Sequence, residues 1–152
     1  MKEKIFFIFA LFAALILAGR GISPAEEAPI GIVKKVEETA FIVRNGSSQA
    51  ARPGHPVFLN DVLKTGVSGA LGVTFNDDTR ISIGPDTEYV VDEYVYQPKE
   101  MALSFVSRIT RGTLQYISGT IAKIAPESVS VKTPTGTIGI RGTRFLLKVE
   151  AN

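Results

Sequence analysis

Only a handful of side chains in this 152-residue sequence have the chemistry of a reactive site, and their spacing decides what they can do. His55 is the single histidine, set between Gly54 and Pro56. One imidazole serves as general base or metal ligand only beside positioned partners, so a loop residue is the expectation. Cysteine is absent, which removes thiolate nucleophiles, thiolate metal sites and disulfides. Acidic neighbours stand at Glu37-Glu38, Asp77-Asp78 and Asp92-Glu93, and paired carboxylates would suit glycoside hydrolysis. Adjacent strand residues point to opposite faces, however, so these pairs are expected on solvated surface or in turns. Asn76, Asp77, Asp78 and Asp86 offer the hard oxygens calcium prefers, without the spacing or the terminal bidentate glutamate of a calcium loop.

The stretch Ile138–Phe145 carries Arg141 and Arg144 among glycines, as an anion cradle would. It lacks the Gly-Lys-Ser/Thr ending of a phosphate loop, and a structural role is expected, with Arg141 bonded to carbonyls or an aspartate. No serine stands in a Gly-x-Ser-x-Gly elbow. Tyr89, Tyr94, Tyr96 and Tyr116 could form an aromatic platform, but in a chain without tryptophan they read as core and strand-pair residues. The expectation is therefore no catalytic, cofactor-binding or metal-binding residue, no cofactor, and a protein that is not an enzyme.

The elements that would position these residues are short. From Gly31 onward, apolar bursts alternate with Gly, Pro, Asn and Asp. Leu71, Val73 and Phe75, then Ile81 and Ile83, Val129 and Val131, and Phe145, Leu147 and Val149 follow a period of two, the mark of a strand with one buried face. Strands are predicted at Ile30–Glu37, Ala40–Arg44, Val62–Thr65, Leu71–Phe75, Arg80–Ile83, Tyr89–Tyr96, Ala102–Arg111, Gly112–Ile117, Val129–Thr133, Thr137–Ile140 and Thr143–Glu150. Tyr89–Tyr96 has apolar groups on both parities, which predicts burial on both sides or a change of face at a bulge. A helix over Met101–Ile109, where Met101, Phe105 and Ile109 fall four apart, is the less favoured reading. The fold class is all-β, a single compact domain of many short strands.

The first residues form a separate unit. Lys2 and Lys4 precede an uncharged apolar run, Ile5–Ala18, and Gly19-Arg20-Gly21 ends it. That is the pattern of a signal peptide, and the run is shorter than the roughly 20 residues of a membrane span. Ser23 and Ala25 have the spacing a signal peptidase reads. Cleavage after Ala25 is expected, with residues 26–30 as a polar lead-in, residues 31–150 as the domain and no stable membrane anchor. Removing residues 1–25 leaves 14 basic and 14 acidic side chains, so the domain is near neutral and nucleic acid is not an expected partner.

Several blocks of the domain look familiar: an opening GIVKKVEETAFIVRNG, then PGHPVFLNDVLKTGVSGALGVTFND, TRISIGPDTEYVVDEYVY, RGTLQYISG and a closing VKTPTGTIGIRGTRF. In this order, over roughly Gly31–Val149, the sequence resembles the FecR domain, a family of bacterial extracytoplasmic modules. The family's common Asp-Gly-Thr is here Asp77-Asp78-Thr79, and Glu38-Thr39 stands where a glycine is common, which suggests a different first turn. The namesake is a membrane-spanning regulator of iron-citrate uptake with a cytoplasmic segment that engages a sigma factor. Only four residues precede the apolar run here, so the resemblance is expected to extend to the module and not to signal relay through a membrane. It implies a β-solenoid-like domain, or alternatively a β-sandwich, used in protein contacts in the periplasm or after secretion. The leading expectation is a non-enzymatic module of envelope sensing or scaffolding that binds an envelope or secreted protein through a sheet face or strand edge. A cell-wall or polysaccharide-binding module is the rival, and a small hydrolase the third reading.

Overall fold

The structure, a computed structural model, describes residues 27–150. The expected signal segment lies outside the described residues. Ile30, where the first strand is predicted to begin, is part of the core, and its amide donates to the Val57 carbonyl at 2.8 Å.

Period-two patterning produces strands along nearly the whole described chain. They are β1 Gly31–Glu37, β2 Ala40–Arg44, β3 Ser47–Ala50, β4 Pro56–Val57, β5 Val62–Thr65, β6 Ala70–Phe75, β7 Arg80–Ile83, β8 Glu88–Gln97, β9 Ala102–Ile117, β10 Val129–Thr133, β11 Gly136–Gly139 and β12 Arg144–Val149. One short helix, α1 Thr120–Ile124, and single 3-10 turns at Pro98–Glu100 and Pro126–Ser128 interrupt them. The all-β, single-domain expectation holds, and the sheet takes the form of a curled, mainly antiparallel half-barrel. β3 and β4 went unpredicted because Ser47–Ala50 is mostly polar and exposed and β4 is two residues long.

The strand order is β3-β2-β5-β8-β9-β7-β6-β1-β4, with β10, β11 and β12 branching from β9. β9 is the spine. Its first half pairs with β8 and, in parallel, with β10; its second half pairs with β7 and β12. The sequence suggested two strands meeting at Arg111/Gly112, and the structure joins them into one that changes face there. Leu103, Phe105, Ser107 and Ile109 point inward before the junction, Leu114 and Tyr116 after it. The change of parity needs one extra residue, and the register with β8 slips between Glu88 and Tyr89, leaving Thr110 unopposed. A strand that changes face in this way lets one continuous sheet turn a corner and close over its own core. The helical alternative over Met101–Ile109 is thereby excluded. The same ladder slips again at Asp92, which is the bulge the two-parity pattern of β8 anticipated.

The core is one cluster under the curl. Val33, Ile42, Leu63, Leu71, Val73, Phe75, Ile81, Ile83, Leu114, Ile121, Val129 and Val131 are all essentially buried, each contributing about 1.5–3 kcal/mol by leaving water. A run of aromatics crosses it. Phe105 meets Phe75 edge-on at 4.9 Å, Tyr94 at 5.4 Å and Tyr116 at 5.8 Å, and Tyr116 stacks on Phe145 at 5.1 Å.

Candidate functional site

The β6–β7 turn contains the Asp77-Asp78 pair that sequence reasoning placed on solvated surface or in a turn; Asp78 is exposed there, and the structure corrects the reading for Asp77 alone. Asp77 is in the turn but fully buried. Its Oδ1 accepts from the Thr79 amide and the Tyr94 hydroxyl, both at 3.2 Å. Its Oδ2 accepts from the Thr79 hydroxyl at 2.7 Å and the Ile121 amide at 3.3 Å. The Asp77 carbonyl takes the Thr120 amide at 2.7 Å, and the Thr79 hydroxyl oxygen takes the Gly119 amide at 3.2 Å. These contacts satisfy the first amides of α1, which has no side-chain cap of its own. Asp77 thus fastens the turn to a helix more than forty residues away. With both oxygens committed to protein donors, it is a structural clamp. Burial, followed by the Asp77 charge, pushes the Tyr94 phenol well above its ordinary value; burial does the same to Tyr116 and Tyr89.

A second internal clamp lies at β2 and β5. Arg44 donates Nε and Nη2 to the two oxygens of the buried Asp61 carboxylate, both at 2.7 Å, and its guanidinium lies 4.2 Å over the Phe58 ring. Asp61 Oδ2 also accepts from the Phe58 amide at 2.8 Å. This bidentate pair pins the chain entering β5 and raises the Arg44 pKa through its hydrogen bond to Asp61.

The remaining sequence candidates do not converge. Among the described residues, His55, in the connection before β4, has no carboxylate partner, and no three His, Asp or Glu side chains group as metal ligands would. Tyr89 and Tyr116 are core residues, as the sequence suggested, and Tyr94 is half-buried against the same core. Arg141 departs from expectation. It is exposed and makes no hydrogen bond among the described residues, so the anchoring role assigned to it is not met.

What the chain leaves open is a groove. Among the described residues, β11 pairs only with β10, and β12 only with β9. Each therefore has one edge of backbone donors and acceptors without a strand partner, and these two strands wall a common cleft. One part, about 340 Å³, lies between Thr133–Ile138 and Leu147–Glu150. A second, about 270 Å³, lies between Ile138–Gly142 and Arg144–Leu147. Phe145, Leu147 and Val149 turn one face of β12 toward the core, while Leu146 on the other face is 76% exposed. Ile138 on β11 is partly exposed as well. Arg141, Arg144 and Lys148 line the groove; Gln115, with its side-chain carbonyl turned toward Arg144, accepts from that guanidinium at 2.9 Å. Sequence reasoning located β11 and β12 but had no signal for the open edges.

Fold and groove together define an all-β module whose carboxylate clamps are used internally and whose accessible feature is a strand-walled cleft. Residues 61–152 match the family model described as FecR protein, and the chain belongs to that family. The match begins at Asp61, so the opening block that also resembled the family lies outside it. FecR is a non-enzymatic signalling and sensing domain, typically from the bacterial envelope. No curated protein and no solved structure matches the chain. Among the described residues, no helix is long and apolar enough to cross a membrane.

Proposed function

We propose that this protein is a non-enzymatic extracytoplasmic module that binds another protein, envelope-bound or secreted, by accepting a strand in the β11–β12 groove, in envelope sensing or scaffolding. The observation that carries this reading is the pair of unpartnered strand edges on opposite walls of one cleft. Main-chain hydrogen bonds to such edges give affinity, and side-chain pockets beside them give specificity. The polysaccharide reading required a row of exposed aromatics, and Tyr89 and Tyr116 are instead inside the core. Export rests on Lys2, Lys4 and the apolar run Ile5–Ala18. N-terminal sequencing of the exported protein checks it, with Glu26 expected first.

The binding test uses a photo-crosslinking residue in place of Ile138 or Leu146, with Phe41 on β2 as the distant control. In cell-envelope preparations, a protein adduct at the groove positions and none at Phe41 is the expected result. Adducts to glycan alone, or equal capture at all three positions, would remove the reading.

A further inference from the structure

Three observations at the groove together describe what fits it. The first is the pattern on β12. Arg144, Leu146 and Lys148 share the parity that points away from the core, so this strand presents a basic, apolar, basic face at period two. The second is the charge distribution. Residues 129–149 hold Lys132, Arg141, Arg144 and Lys148 and no acidic side chain, whereas residues 27–128 hold ten basic and twelve acidic ones. Glu150 closes one end of the groove, beside Lys148 at 3.5 Å.

The third observation concerns Gly136 and Gly139, at the two ends of β11. Neither has a positive φ, and a Cβ built on either meets nothing within 4 Å. Gly112 is different: it has φ 95°, and a Cβ there would overlap Thr87. Glycine inside a strand weakens it, and where neither the backbone nor internal packing requires it, close approach of another backbone is the remaining structural reason. Both glycines line the groove.

We infer that the groove receives an extended segment of a partner protein that carries acidic, apolar and acidic residues at alternate positions on one face. The acidic groups pair with Arg144 and Lys148 across the strand, and the apolar residue between them covers Leu146. The bare ends of β11 admit its backbone. A second copy of this chain is a poor occupant, because antiparallel pairing of two β12 strands about Leu146 sets Arg144 against Lys148. This inference rests on the strand-addition reading above and adds the chemistry of the strand.

The experiment titrates the exported protein with two short peptides in which threonine alternates with Glu-Val-Glu or with Lys-Val-Lys, read by backbone amide resonances and calorimetry. The glutamate peptide is expected to shift the β11 and β12 amides and to bind at least about tenfold more tightly than the lysine peptide, with affinity falling as salt rises. Lys148→Glu, alone or with Arg144→Glu, reverses the preference while circular dichroism stays unchanged. Gly139→Val keeps or raises Tm and weakens binding about tenfold or more. Equal binding of both peptides at these amides would overturn the acidic partner and leave strand addition standing. Failure of both peptides to perturb β11 and β12 would overturn the two readings together. A doubling of mass with concentration that blocks the peptides would make a second copy the occupant and overturn the inference.

Discussion

At Asp77, four protein donors converge on one buried carboxylate: an amide and a hydroxyl from Thr79, the Tyr94 phenol, and the Ile121 amide. Truncation removes the acceptors and leaves those donors buried, which costs more than the bonds themselves contributed. Asp77→Ala is expected to lower stability by about 3 kcal/mol or more in urea unfolding. A cost below about 1 kcal/mol would mean that water replaces the carboxylate and that the clamp is dispensable. Glu38 presents the opposite case. It adopts φ 51° in the β1–β2 turn, where a left-handed glutamate is strained by about 1–2 kcal/mol. The turn takes left-handed geometry at a residue that is not glycine and bears the strain. Glu38→Gly is expected to stabilise by about 0.5–1 kcal/mol after the added unfolded-state entropy of glycine is subtracted, measured as a higher urea midpoint with unchanged slope. Asp78 has φ 65° in the β6–β7 turn, and aspartate bears that conformation more easily than glutamate.

Among the elements, those with clean alternation were legible from residue type alone. Arg80–Ile83 and Val129–Thr133 are strands over the ranges the period-two pattern predicts, because each buries alternate side chains on one face. α1 was not legible: five residues with a single buried side chain, Ile121, carry no helical period. Its start is fixed by Asp77 and Thr79, and long-range hydrogen bonds leave no mark in local sequence. The open edges of β11 and β12 were hidden for the same reason, since pairing is a property of the assembled sheet. β9 shows what an element gains from one glycine. Gly112 sits at the parity change with φ 95°, and Thr87 fills the space a Cβ would need while its hydroxyl oxygen accepts the Thr113 amide at 3.0 Å. Gly112→Ala therefore combines backbone strain with overpacking at the corner and is expected to cost about 2–4 kcal/mol. A Tm within a degree or two of wild type would show that β9 turns by some other means.

Across the whole molecule, the core that shapes the half-barrel also ties its stability to proton uptake at high pH. Tyr89 and Tyr116 are fully buried, and burial raises their phenol pKa above the ordinary value of 10; Tyr94 is raised by partial burial and by Asp77. A raised phenol pKa means that the folded state holds the proton after the unfolded state has begun to release it. The stabilising contribution is then complete below pH 10 and declines as the pH climbs from there toward the folded values. Each fully buried phenol contributes a slope of about 1.4 kcal/mol per pH unit in that window, so Tyr89 and Tyr116 alone give a steep alkaline transition. A variant isolates the phenol's share. Urea midpoints taken from about pH 9 to 11 should fall for the wild type, and Tyr116→Phe should flatten the fall by about one phenol's share. Phenolate absorbance from the buried tyrosines should rise only with unfolding. Midpoints of the two proteins that run parallel through this range would mean that the Tyr116 hydroxyl reaches solvent, and that the curl of the sheet does not seal its aromatic core.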